Sequence, residues 1–268
     1  MEIKEITSKT ALSPSKLPGL DYTLNPYSGC GHQCMYCYVP SVKHIPRESW
    51  EKTIFVRRNL PMILSKELSR RKSGTIGIST VTDPYQPIEK TFQVTRYCLE
   101  QLLKHEFPIQ IQTKSDLILR DIHLIEHFKQ AEIMISIGTS NDKHRQIVEP
   151  GTSSIRQRLN VLHELKNNDE INSSVFFGPI YPSMNWDEIK ILLDTFIEEN
   201  VSTILIDTLH LKPGLENHLS NILQKYPFLY DSFQQNIFSP SNWYKEIANN
   251  IKKYLQNNAK DISVTEAF

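Results

Sequence analysis

The sequence predicts an α/β fold in which roughly six βα units surround a parallel sheet, either as an incomplete, open barrel or as a doubly wound sheet. Three observations carry this expectation. From residue 22 to residue 226, short apolar runs alternate with amphipathic stretches, the pattern of parallel strands joined by helices of about 10–15 residues. The length of 268 residues suits one large domain or two small ones with a sizeable core. The units number fewer than the eight of a closed (βα)8 barrel.

Each element follows in order. Residues 1–20 carry little pattern and read as an irregular N-terminal arm. Residues 22–26 form a short strand leading into a cysteine loop, and residues 53–57 (TIFVR) are β-branched enough for an extra strand. Residues 61–71 set Ile63, Leu64 and Leu68 at helical spacing, with Pro61 in the first turn, where a missing N–H leaves no bond unmade. Residues 75–81 (TIGISTV) read as a buried strand and 92–105 as a helix. The rhythm repeats at 108–113 (PIQIQT) and 119–129, at 132–137 (EIMISI) and 153–166, at 174–178 and 186–199, and at 202–207 (STILID) and 214–226. Beyond it lie an aromatic stretch (226–238) and a helix near 242–255, expected to cap or close the sheet. The chain thus divides into an arm (1–20), a core domain (21–226) and a C-terminal extension packing on that core (227–268).

Composition narrows the function classes. Thirty Lys and Arg balance thirty Asp and Glu, which argues against coating nucleic acid or membrane by bulk charge. Four cysteines are too few for a disulfide-stapled scaffold. The N-terminus shows no apolar signal-peptide core, and no run approaches 18 consecutive apolar residues. A cytoplasmic location and no membrane partner are expected. In that reducing compartment a tight cysteine group reads as a metal or redox site.

Such a group exists in NPYSGCGHQCMYCYVP, where Cys30, Cys34 and Cys37 have the spacing C-x3-C-x2-C. Structural zinc needs four ligands, and only His32 or His44 could add a nearby fourth. A [4Fe–4S] cluster normally takes four thiolates. Three would leave one iron open to a cofactor or substrate. Cys98 lies in a helical pattern and reads as a buried, inert thiol.

The spacing, with aromatic Tyr36 before the last cysteine, resembles the radical S-adenosylmethionine (radical SAM) family. The similarity extends to its spore photoproduct lyase-like branch through GCGHQCMYCYV with Tyr38, VTDPYQPIE (81–89), Thr113–Lys114, ISIG (135–138), EPGTS (149–153) with Arg158, and GPIYPSMNWDE (178–188). The resemblance implies a partial (βα)6 TIM-like barrel with a C-terminal helical cap. It implies a [4Fe–4S] cluster held by Cys30, Cys34 and Cys37, with S-adenosylmethionine chelating the open iron. One-electron reduction would release a 5′-deoxyadenosyl radical that abstracts hydrogen from an unknown substrate, in this branch DNA or RNA. An electron donor such as flavodoxin or ferredoxin is implied with it.

Candidate cofactor residues follow from the same resemblance. Thr82 and Asp83 stand where the family often places a glycine-rich strand end for the methionyl amine; a hydroxyl and a carboxylate both accept from an ammonium. The plain alternative is an Asp-Pro turn. Lys114 would pair with the methionyl carboxylate, or be a solvated lysine. Ser136 would bond the ribose, or be a small core residue. Tyr36 and Tyr38 would flank adenine or cluster, or simply pack. Arg158 would touch the cofactor, or pair with Glu149 or Glu164. His123 and His127 read as solvated, and the tail tyrosines Tyr226, Tyr230, Tyr244 and Tyr254 mostly as packing. In the lyases a cysteine before the Ser-Asp of the second strand donates a hydrogen atom. Val81 occupies that place and a valine cannot do this, which counts against repair by the lyase mechanism itself; lyase or related radical chemistry of the DNA-repair kind is still what the resemblance implies, and no catalytic residue is assigned.

A surplus of six basic residues over 41–72 (nine Lys or Arg, three Glu) could track a phosphate backbone or be a solvated face, while 181–268 is acidic, with seven basic and eleven acidic residues. The runner-up is a zinc-bearing nucleic-acid-binding module without catalysis, and a third reading is an iron–sulfur electron carrier.

Overall fold

The computed structural model describes residues 1–267, with the Glu51 side chain outside that description. Phe268, the last residue of the expected extension, lies outside the described residues. Eleven strands are present among them: β1 (Glu2–Ile6), β2 (Leu12–Pro14), β3 (Tyr22–Leu24), β4 (Tyr27–Ser28), β5 (Thr53–Arg57), β6 (Ile76–Ile78), β7 (Ile109–Thr113), β8 (Ala131–Ser136), β9 (Ile171–Phe177), β10 (Thr203–Ile206) and β11 (Ser263–Glu266). The main sheet has the order β11-β10-β9-β8-β7-β6-β3-β2. Its strands are parallel except β2, which runs antiparallel to β3. The six strands expected from the alternation are β3 and β6 to β10, and β2 and β11 leave the barrel open.

The helices are α1 (Val39–Lys43), α2 (Arg47–Lys52), α3 (Leu60–Leu68), α4 (Glu89–Phe92), α5 (Val94–Lys104), α6 (Ile122–Ile125), α7 (Asp142–Val148), α8 (Ile155–Leu165), α9 (Trp186–Glu198), α10 (Leu215–Leu223), α11 (Pro227–Phe233) and α12 (Trp243–Asn258). Sequence chemistry fixes where the crossover helices begin. Ser154 and Gln157 form a reciprocal capping box at α8, as do Asn185 and Glu188 at α9, each satisfying otherwise orphaned N–H groups. Residues two apart on a strand share a face, and Ile76 with Ile78, Ile109 with Ile111, and Ile133 with Ile135 bury that face in the core.

The structure corrects the sequence reading at four places. Residues 1–20 are not irregular: β1 pairs in parallel with β5 from Glu2↔Thr53 to Ile6↔Arg57, and β2 edges the main sheet. The strand expected over 75–81 is only Ile76–Ile78 long, because Ser79 takes a left-handed φ of 62°, which ends an extended ladder. The helix expected over 119–129 is a 3-10 turn (Asp116–Asp121) followed by the short α6. That turn sets the Arg120 guanidinium between the fully buried carboxylates of Glu89 and Asp121, with Arg96 donating to Asp121 as well. The C-terminal segment is more than a helical cap, since β11 adds a seventh parallel strand beside β10.

A second apolar cluster bears on the site. Leu215, Leu219 and Leu223 of α10, with Leu229 and Phe233 of α11, pack with Met35, Tyr36 and Tyr181. The end of the chain therefore braces the cysteine loop. Among the described residues no helix is long and apolar enough to cross a membrane.

Candidate active site

Parallel strands present their C-terminal ends, and the loops that follow, on one side of a sheet. The cysteine loop after β3 and β4, the 79–88 segment after β6, Thr113–Lys114 at β7, Ser136 at β8, the 178–182 loop after β9 and Asp207 after β10 all converge there.

The cysteine loop is clamped from three directions. Gln86, fully buried, accepts the Gly31 N–H at 2.7 Å and donates to the Gly29 carbonyl at 3.2 Å, so one amide brackets Cys30. Gly29 has φ +86°, and a Cβ there would lie 2.2 Å from the Thr53 carbonyl of β5; only glycine fits such a site. From the α7–α8 connection, Val148 O accepts Met35 N–H and His32 O accepts Gly151 N–H, both at 3.0 Å.

Asp83 is the hub between loop and sheet. Its Oδ1 accepts the Tyr85 N–H (2.8 Å) and the Thr113 hydroxyl (2.6 Å). Its Oδ2 accepts the Lys114 N–H (2.8 Å) and lies 3.3 Å from His32 Nδ1. Burial acts to raise its pKa, but the His32 ring and the donors from Thr113 and Lys114 outweigh it and hold the carboxyl at about 2. A carboxyl depressed by folding stabilises above its unfolded pKa, and that support is lost as pH falls through the folded value. Asp83 thus contributes about 2 kcal/mol above pH 4. Asp83→Asn should be less stable than wild type in urea at pH 6, with the gap narrowing from about pH 4 toward pH 2. Parallel stability curves across that window would refute the assignment.

A second buried system holds Tyr36. Its hydroxyl donates to Glu149 Oε1, while Glu149 Oε2 accepts from Arg158. Arg158 is fully buried and also donates to Ser136 O (2.9 Å), Ser153 O (3.0 Å) and the Thr152 hydroxyl. Of the two sequence alternatives for its ion pair, Glu149 is the partner. Burial acts to raise the Glu149 pKa, and Arg158 and Lys114 reverse it, leaving the carboxyl below its ordinary value. Ser136 Oγ accepts from Gln112 at 3.2 Å. Lys114 Nζ stands 6.0 Å from the Tyr36 ring centroid.

Tyr38 is exposed, its ring edge-on to His210 at 6.2 Å. His210 Nε2 lies 2.9 Å from Asp207 Oδ1. Sequence reasoning assigned this Asp–His pair no role, although Asp207 stands at a strand end. It also left Gln86 without a role and saw Glu149 only as a partner for Arg158, not as the acceptor for Tyr36, although both lie in quoted motifs. Buried hydroxyls that find no partner among the described residues gather here: Ser79 Oγ, Thr82 Oγ1 and Tyr181 Oη. Orphaned polar atoms inside a protein point to a partner that binds there. Cys98 is fully buried in the main core, away from this side.

The donor set fits an iron–sulfur cluster. Burial pushes the Cys30 thiol up to about 12 and raises Cys34 and Cys37 as well, so all three stay protonated until a cation binds them as thiolates. The His32 and Asp83 N–H groups aim at the Cys30 sulfur, and the Val39 N–H and Trp50 side chain at that of Cys37. Such donors stabilise coordinated sulfur. A single zinc ion is not supported. Among the described residues it finds no fourth ligand beside the three cysteines: His32 is turned to Asp83, and His44 is exposed.

Fold and site together define a class: open-barrel proteins that offer three cysteines at the C-terminal ends of parallel strands. The family model described as "Radical SAM superfamily" matches residues 24–196. An uncharacterised protein of Methanocaldococcus jannaschii is 32% identical over 266 residues, covering 98% of this chain and 96% of that protein. Spore photoproduct lyase of Clostridium acetobutylicum is 26% identical over 180 residues, 63% of this chain and 49% of the lyase. A solved spore photoproduct lyase complexed with dinucleoside spore photoproduct superposes with a TM-score of 0.70 at 16% identity, covering 98% of this chain and 81% of the other. The chain belongs to the radical SAM superfamily and is a radical SAM enzyme on a lyase-like open barrel.

Proposed function

We propose that Cys30, Cys34 and Cys37 hold a [4Fe–4S] cluster and that the enzyme acts on a nucleic-acid substrate. When bound, the cluster with S-adenosylmethionine supplies one-electron reductive cleavage to a 5′-deoxyadenosyl radical, which takes hydrogen from that substrate. The observation that carries this reading is the set of three half-buried cysteines in a loop clamped by Gln86, Asp83 through His32, and Gly151.

The chain's own residues bind and orient. Thr82, with its partnerless hydroxyl, accepts from the methionyl amine. Asp83 has both oxygens engaged and acts by fixing Lys114 and His32. Lys114 pairs with the methionyl carboxylate as a point charge, and Ser136 lies along the ribose. Tyr36 and Tyr38 flank the cofactor, and Arg158 supports Tyr36 through Glu149. A protein of the flavodoxin or ferredoxin type supplies the electron, in a reducing cytoplasm. The nucleic-acid assignment draws on the lyase likeness and on the basic 41–72 segment. Part of that segment is committed to packing, since Arg58 pairs with Glu5 and Arg71 covers Tyr22. With Val81 in the lyase-cysteine position and Cys98 sealed in the core, the closing hydrogen-atom step differs from that of the lyases.

Anaerobic reconstitution tests this. Wild type should bind about four irons per chain, and Ser at Cys30, Cys34 or Cys37 should abolish them. Reductant plus S-adenosylmethionine should then release 5′-deoxyadenosine, with deuterium carried into it from labelled oligonucleotides. A colourless chain holding one zinc would overturn the reading.

A further inference from the structure

We infer that the inner face of β7, β8 and β9 receives a single nucleobase and selects one with an exocyclic amino group, Glu132 and Gln110 accepting from its edge and Phe176 stacking on its ring. The inference deepens the nucleic-acid reading above and rests on it.

Alternate residues of a strand point to opposite faces. Ile109 and Ile111, Ile133 and Ile135, and Val175 and Phe177 are buried in the main core. Gln110 and Gln112, Glu132, and Ser174 and Phe176 therefore share the other face, which lines the inside of the open barrel. Polar side chains join across the strands there. Glu132 accepts the Ser174 hydroxyl on Oε1 at 2.6 Å and the Gln110 amide on Oε2 at 2.8 Å. Gln112 donates to Ser136 Oγ at 3.2 Å. Glu132 and Ser136 lie on the same face of β8, about 13 Å apart along the strand. The polar row thus runs from the residue assigned to the ribose down into the barrel.

Glu132 is half-buried and pairs with no Lys, Arg or His among the described residues. A carboxylate has about four acceptor positions, and protein donors take two. Because a carboxylate faces only donors, Gln110 turns Nε2 toward it and Oε1 away, and that oxygen accepts nothing among the described residues. Apolar surface flanks these acceptors. Phe176, in register with Ser136, is half-buried. Gly77 is in register with Gln110, and a Cβ there would run into Leu20 Cδ1, so Leu20 fills the place of a side chain.

A ring to stack on and acceptors for one edge are the partners that a nucleobase takes. A carboxylate accepts from the amino group of cytosine. Uracil and thymine put a carbonyl there, acceptor against acceptor. The same carboxylate repels phosphate, so the backbone stays outside and only an extruded base enters.

The test is equilibrium binding of single-stranded deoxycytidine and deoxyuridine homopolymers of equal length to the full chain, before and after reconstitution with iron and sulfide. Wild type should bind the cytosine polymer about tenfold more tightly, the scale of one matched base contact. Glu132→Gln can turn a donor to a carbonyl and should bring the ratio close to one. Phe176→Leu should weaken both polymers about tenfold and keep the ratio, since stacking is indifferent to the edge. Equal binding of the two polymers by wild type, a ratio unmoved in Glu132→Gln, or affinities unmoved in Phe176→Leu overturns the inference. The wild-type ratio decides even where a variant folds poorly. Binding of neither polymer by wild type overturns the nucleic-acid reading itself and this inference with it, whereas iron content, measured separately, reports on the cluster.

Discussion

Arg158→Met should lower the melting temperature of the cluster-free protein by about 10 °C. The guanidinium is fully buried and meets Glu149, two carbonyls and a hydroxyl. Removing it leaves a buried carboxylate without its counter-charge, a loss of about 3–5 kcal/mol. Each kcal/mol moves the midpoint of a chain of this size by about 2–4 °C. Adding Glu149→Gln to the same chain should recover part of the loss, because the stranded charge goes with it. Differential scanning calorimetry decides: a fall of under about 3 °C would mean that the pair does not brace the fold.

Gly151→Ala should strip iron from the reconstituted protein and cost about 3 kcal/mol of stability. The added Cβ would sit 2.2 Å from Gly31 O and 2.9 Å from His32 Cα. Both are backbone atoms of the cysteine loop, so no side chain can swing aside. The loop must move, and with it Cys30 and Cys34. Iron per chain after reconstitution, read beside a urea midpoint, reports both effects. Full iron loading in the variant would show that the α7–α8 connection does not hold the loop in place.

The central strands were legible because strands buried on both faces read as apolar runs, as in EIMISI and STILID. Edge strands carry no such signal. Glu2–Ile6 and Ser263–Glu266 are mostly polar and half or fully exposed, with pairing partners 51 and 60 residues away. The three cysteines declared themselves by spacing alone. What holds them did not, because Gln86, Asp83 and Gly151 act across 55, 51 and 119 residues of chain from Gly31 and His32, and such separations leave no local pattern. Lys114 and Asp83 were both visible as strand-end residues, but that the backbone of one binds the side chain of the other is a fact of the third dimension.

The clamp on the cysteine loop bears on the order in which the enzyme is assembled. Gln86, Asp83 and the α7–α8 connection shape the loop entirely with protein atoms. Where metal ligands are disordered until the ion arrives, binding and folding are one event. On the proposed reading of the cysteines, a loop held this way by the rest of the fold would meet its cluster as a receptacle already shaped, not as a segment that folds around its metal.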